Sequence, residues 1–185
     1  MVSVNSFGEA AQRDIELDFE VDKLTNSIEN AVSGKVFDTL ITLLKTADSK
    51  QVKKAEWTFN WQTEIKDEAK QVYKLTTANN PTIIHGLISL TDKADHIFMD
   101  LIESAKFNKG KSKLYKGVPD NLVAFACKLS FEKGYEGVVS FISKTQLIQH
   151  YEQTLGAKLF GNNRMFIDTR EALILTIKYF KDFTL

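Results

Sequence analysis

Between Asn108 and Asp120 the chain gathers Lys109, Lys111, Lys113 and Lys116 around Gly110 and Gly117, directly before an apolar run opened by Pro119. A loop of this kind at a helix N-terminus suits a phosphorylated ligand. The first N–H groups of a helix have no intrahelical acceptor, and the helix dipole adds positive potential there. A solvated connection kept soluble by lysines has the same composition, and from composition alone that plainer reading is favoured. Asp120 would compete for the same dipole. Glu103 shares a face with Ile97, Met99 and Leu101 under strict strand alternation. A carboxylate closing an apolar face is desolvated, which raises its pKa toward the range of a general base; a wet strand end is the equal alternative. His85 has the chemistry of a proton relay, with a hydrogen-bonded structural histidine as the plainer reading. Tyr151 falls on an apolar helical stripe, where a core tyrosine is the commoner role than an acid. Trp57 and Trp61, four apart, line a pocket or fill a core.

Several chemistries are not encoded. No serine or cysteine triad, Walker-type loop or zinc spacing is present. His85, His96 and His150 lie far apart, and the single Cys127 sits in an apolar run, so a buried thiol is expected, with no internal disulfide and no metal site. The chain has 24 basic and 24 acidic residues, a net charge of zero, from which no nucleic-acid partner is expected. With 43% hydrophobic and 11% aromatic residues, the 185-residue chain can bury a full core, and one domain over 1–185 is expected. No run is long and apolar enough for a bilayer, and the N-terminus lacks the basic and apolar regions of a secretory signal. A cytoplasmic protein without membrane contact is the expectation.

The elements follow from periodicity. Residues 14–21 alternate Ile15, Leu17, Phe19 and Val21 with four carboxylates, a half-buried strand. The segment 36–44 fits a helix or a strand entered through a Ser33-Gly34 turn, and a strand is preferred. Residues 48–69 are predicted mostly helical, with Glu64 and Asp67 on a solvated face. Three strand-like runs follow at 71–77, 82–90 and 96–105, joined by ANNP and TDKAD turns. Helix 119–132 is apolar nearly all round, and Gly134 stops it. Strand 137–143 is apolar on both faces, as in a central parallel strand, so 96–143 makes a β-α-β crossover. Helix 145–155 ends at Gly156; a short strand at 165–167 and a final helix capped by Asp168 and Glu171 close the chain.

The order loop, helix, strand, helix with a late tyrosine resembles the cofactor half of the GNAT acetyltransferase superfamily. Leu114-Tyr115-Lys116-Gly117-Val118-Pro119 falls on that family's Arg/Gln-x-x-Gly-x-Gly/Ala loop: Gly117 matches, Leu114 replaces Arg or Gln, and Pro119 removes one backbone donor. Tyr151-Glu152-x-x-Leu155-Gly156-Ala157 resembles the family's helix-ending tyrosine segment, with Ala157 in place of an aromatic. The resemblance covers roughly residues 70–157. It implies a mixed α/β (α+β) fold with a mostly antiparallel central sheet, one parallel crossover and flanking helices. It also implies acetyl transfer from acetyl-CoA to a small-molecule or peptide amine. Tyr151 would protonate the departing thiolate and Glu103 would deprotonate the amine. The backbone of Ile102 and Ser104 would pair with the pantetheine arm, and Lys113, Lys116, Gly117, Val118, Asn121 and Leu122 would hold the rest of the cofactor. A catalytically inactive GNAT-like domain that binds a ligand or protein is the alternative, and a homodimer is left open.

Overall fold

The computed structural model describes residues 27–185, so the alternating run 14–21 lies outside the described residues. Strand β1 (Ser27–Asn30) turns into β2 (Val36–Leu43), the strand preferred for that segment. Asn30 sets the turn: its Oδ1 accepts from the N–H groups of Val32 and Ser33, while Gly34 takes a left-handed φ of 67°.

The following stretch departs from expectation. Instead of a helix over 48–69 there are two 3-10 turns, Thr46–Gln51 and Lys54–Glu56, and a helix of six residues, α1 (Trp61–Lys66). Trp57 is extended (φ −122°, ψ 156°), and the N–H groups of Thr58 and Phe59 bond the Glu103 carboxylate rather than carbonyls one turn back. A tertiary acceptor has displaced the helical ones.

Strands β3 (Gln71–Thr77), β4 (Gly86–Asp92) and β5 (Ile97–Ser104) form an antiparallel meander close to the predicted runs. After a 3-10 turn at Lys106–Asn108, β6 (Tyr115–Lys116) pairs with β1, a strand inside what the sequence reads as loop. Helix α2 (Val118–Glu132) then leads to β7 (Val139–Ile142), which runs parallel to β5 and completes the expected crossover. Helix α3 (Ile148–Leu155), strands β8 (Lys158–Leu159) and β9 (Arg164–Ile167), and helix α4 (Thr169–Tyr179) follow. Asp168 caps α4 by accepting from the Thr169 N–H at 2.8 Å.

Among the described residues, nine strands form one mixed sheet in the order β6-β1-β2-β3-β4-β5-β7-β9-β8. One face packs against α2 and α4 around Leu75, Ile88, Ile97, Leu122, Met165 and Ile167. The other face, near β3 to β5, is covered by Trp57, Trp61 and Ile65. Cys127 is fully buried, and burial pushes its thiol pKa far up, as expected of an inert core thiol. Among the described residues no helix is long and apolar enough to cross a membrane.

At Gly86 α2 lies close against the sheet. A Cβ built there would lie 2.7 Å from Val118 Cγ1 and 2.9 Å from Leu122 Cδ1. Gly86→Ala is therefore expected to lower stability by about 1–3 kcal/mol through overpacking, measured by urea unfolding.

Candidate functional site

The site begins with an irregularity in β5. Leu90 lies opposite Met99 but Ser89 lies opposite Leu101, so Asp100 is an extra residue, a β-bulge. The bulge exchanges the faces of everything after it. Ile97 and Met99 point into the α2 side, Leu101 and Glu103 into the Trp57–Trp61 side, and Ile102 back toward α2. The expectation that Glu103 shares a face with Ile97 and Met99 is corrected by this one inserted residue.

The bulge also sets which backbone groups are free. The Ala105 N–H donates to the His85 carbonyl at 2.9 Å. Antiparallel alternation then directs the N–H and C=O of Glu103 and Leu101 at β4, and those of Ile102 and Ser104 away from it. On that far side, pairing with β7 stops at Met99 and Phe141. Ile102 and Ser104 thus present backbone donors and acceptors along an open edge, an arrangement that accepts an extended, amide-bearing chain as a further strand.

Tyr151 sits where the two strands part. Its ring packs edge-to-face on Phe141, 5.3 Å between centroids, on the α2 side of the sheet. Gly156 ends α3 in a left-handed conformation, with φ 62°. Burial raises the Tyr151 hydroxyl pKa above its ordinary value, so the group is protonated at neutral pH.

The N-terminus of α2 has mixed character. Gly117 is its N-cap, with φ 84°, and no side chain caps the first turn. Asn121 N–H already bonds the Gly117 carbonyl and Pro119 has no N–H, which leaves the amides of Val118 and Asp120. Asp120 does not cap its own helix; its carboxylate accepts from the Tyr179 hydroxyl at 3.4 Å. The side chains of Val118, Asn121 and Leu122 are buried, and Asn121 Nδ2 donates to Thr39 Oγ1 at 3.1 Å. Lys113 is exposed, whereas Lys116 lies 3.8 Å from Glu29 within the β6–β1 pair. An uncapped turn after a left-handed glycine fits a phosphate group, with fewer donors than the family loop supplies.

Glu103 is buried, the desolvated one of its two alternatives, and four donors hold its carboxylate. Oε1 accepts from Thr58 N–H at 2.8 Å and Lys109 Nζ at 2.5 Å; Oε2 accepts from Phe59 N–H at 3.2 Å and Trp61 Nε1 at 2.8 Å. Desolvation alone would raise its pKa, but Lys109 and the three N–H donors outweigh that and hold it down at about 2. The expected upward shift is corrected: all its lone-pair directions are occupied and it binds protons weakly. His85 is likewise buried, beside Asn108 and between the rings of Phe107 and Tyr115, and desolvation lowers its pKa to about 4. A neutral, packed imidazole matches the structural reading.

No family model and no curated protein matches the chain. Solved structures do. A variant of the toxin AtaT bound to the C-terminus of the antitoxin AtaR and acetyl-CoA is 15% identical with a TM-score of 0.53, over 75% of this chain and 98% of that one. The AtaT–AtaR complex bound to DNA is 17% identical with a TM-score of 0.53, over 74% and 98%. The KacTA–DNA complex is 11% identical with a TM-score of 0.51, over 74% and 98%. The fold is GNAT-like, as the resemblance implied. The exclusion of nucleic acid is corrected: chains of similar fold occur in complexes with DNA. Net charge averages the whole surface, whereas nucleic-acid contact depends on a local patch or on a partner chain, so a zero sum excludes neither.

Glu103 also makes stability pH-dependent. Its pKa is depressed from 4.5 to about 2, so its contribution is present above pH 4.5 and lost as pH falls through about 2. Glu103→Gln replaces an acceptor by an NH2 facing donors and is expected to cost about 2–3 kcal/mol near neutral pH. The same substitution should flatten the acid limb of the stability curve, read by urea unfolding from pH 7 to pH 2.

Proposed function

We propose that this chain, built on the GNAT fold, is an N-acetyltransferase that moves an acetyl group from acetyl-CoA to an amine on a small molecule or peptide. The observation that supports this most is the parting of β5 and β7 after Met99 and Phe141, with Tyr151 packed on Phe141 and the backbone of Ile102 and Ser104 free beyond it. In this reading Ile102 and Ser104 pair with the pantetheine arm as an added strand. The first-turn amides after Gly117, on Val118 and Asp120, face the pyrophosphate, and Lys113 and Lys116 add positive charge. Asn121 and Leu122 anchor that turn to the sheet. The reaction joins the amine nitrogen to the acetyl carbon and breaks the carbon–sulfur bond. Holding both reactants at one edge supplies most of the acceleration; the neutral amine attacks, the Tyr151 hydroxyl gives its proton to the departing thiolate, and the proton lost by the amine nitrogen returns to the tyrosinate through solvent. Glu103 acts as a positioning residue: it holds the Trp57–Trp61 wall against β5.

A non-catalytic ligand- or protein-binding domain is the second reading. It is favoured by the commitment of β6 to β1 and of Glu103 to its four donors, which leaves fewer groups for cofactor and acceptor. Two measurements separate the readings. Calorimetric titration with acetyl-CoA, against desulfo-CoA and ATP, is expected to show selective binding; its absence removes the acetyltransferase reading. Tyr151→Phe is expected to lower turnover on an amine panel by about a hundredfold while leaving acetyl-CoA affinity unchanged. Equal turnover removes Tyr151 from the role.

A further inference from the structure

Among the described residues, the sheet face opposite α2 and α4 is open over the strands β5, β7 and β9. Strand alternation sends Ile97, Val139, Met165 and Ile167 into the core and Phe98 and Phe166 to the other side. There they floor a cavity of about 790 Å³, within the range of small-molecule sites. Phe98, Ile142, Phe160 and Phe166 make it apolar. Ile142 is 62% and Phe160 56% exposed, large for residues of this kind, and Phe160 stands edge-to-face on Phe166 at 5.7 Å.

The charges on this cavity are not balanced. Lys93 Nζ lies 5.6 Å from the Phe98 ring centroid, over its face. Arg164, on β9, also lines the cavity. Among the described residues neither cation is paired with a carboxylate; the one acid on the wall, Asp95, hydrogen-bonds His96 Nδ1 at 2.6 Å, and the two cations outnumber it. Two uncommitted cations beside an aromatic floor repel an amine and attract an anion. A guanidinium matches a carboxylate in planar, bidentate geometry.

We propose that this cavity binds a small organic anion with an aromatic or branched apolar body, of the arylalkanoate type. The ring lies against Phe98, Phe160, Phe166 and Ile142, and the carboxylate is held by Arg164 with Lys93 adding positive potential. The site lies on the sheet face opposite Tyr151, borders the parting of β5 and β7 at Phe141, and does not rest on the acetyltransferase reading.

The test is calorimetric titration of the full chain with 3-phenylpropionate and with its uncharged isostere 3-phenylpropionamide. The expected result is saturable binding of the carboxylate, with the amide at least about tenfold weaker. Arg164→Ala should weaken the carboxylate by about tenfold and leave the amide unchanged, and Ile142→Glu should abolish both. Both substitutions are at exposed positions, and circular dichroism confirms that the variants fold. Equal binding of acid and amide, undiminished binding by Arg164→Ala, or no saturable binding overturns the proposal. So does a dimer, seen by light scattering, that covers Ile142 and leaves the carboxylate unbound. Acetyl-CoA titration of Arg164→Ala in parallel separates this outcome from failure of the cofactor site.

Discussion

A carboxylate taken out of water must be given donors, and Glu103 is where this chain meets that constraint. Leaving such a charge unpaired costs several kcal/mol. The four donors come from the backbone of Thr58 and Phe59, the Trp61 indole and the Lys109 ammonium. Meeting that demand has structural consequences on both sides of β5. The segment before α1 gives up helix to deliver its N–H groups, and Trp57 and Trp61 come to rest edge-to-face, 6.3 Å apart, over the sheet. Lys109 ties the start of the loop before β6 to the same point, and Lys106 donates to the Ala55 carbonyl beside it. One charge therefore fixes both the wall that covers β3 to β5 and the departure of the chain from β5.

The bulge at Asp100 is what makes that charge inward-facing, and it separates two kinds of chemistry across the sheet. Asp100 itself is anchored by Thr91 Oγ1 at 2.7 Å and lies 3.7 Å from Lys70 Nζ. On one face Tyr151 and Ile102 approach the α2 side of the open edge; on the other, Glu103 and the tryptophans form a fixed support. A bulge is the cheapest way to place a polar group on the covered face without altering the strand before it.

Legibility in the sequence follows the range of the interactions. Strand β3, helix α2 and strand β7 are specified by local periodicity, and Gly134, Gly156 and Asp168 punctuate as their chemistry predicts. The places of Tyr151 on its helix and of Gly117 before α2 are visible because short motifs surround them. The bulge is implied by the resemblance, whose strand before the loop ends in one, but the residues do not mark it: neither glycine nor proline stands at Asp100, and alternation reads through it. The loss of helix over 48–69 depends on an acceptor more than forty residues away in sequence, and β6 forms only because β1 offers an edge. The direction of the Glu103 pKa shift was missed for the same reason. Burial could be inferred from neighbours, but the donors come from elsewhere in the chain.

The sheet ends in two very short strands among the described residues, Tyr115–Lys116 at one side and Lys158–Leu159 at the other. Each is two residues long and each carries a lysine. A wide sheet otherwise offers neighbouring molecules a long row of unpaired amides on which to stack. Among the described residues the outermost strand at each margin is cut to a fragment and carries a lysine, which makes it a short and charged template for pairing between copies.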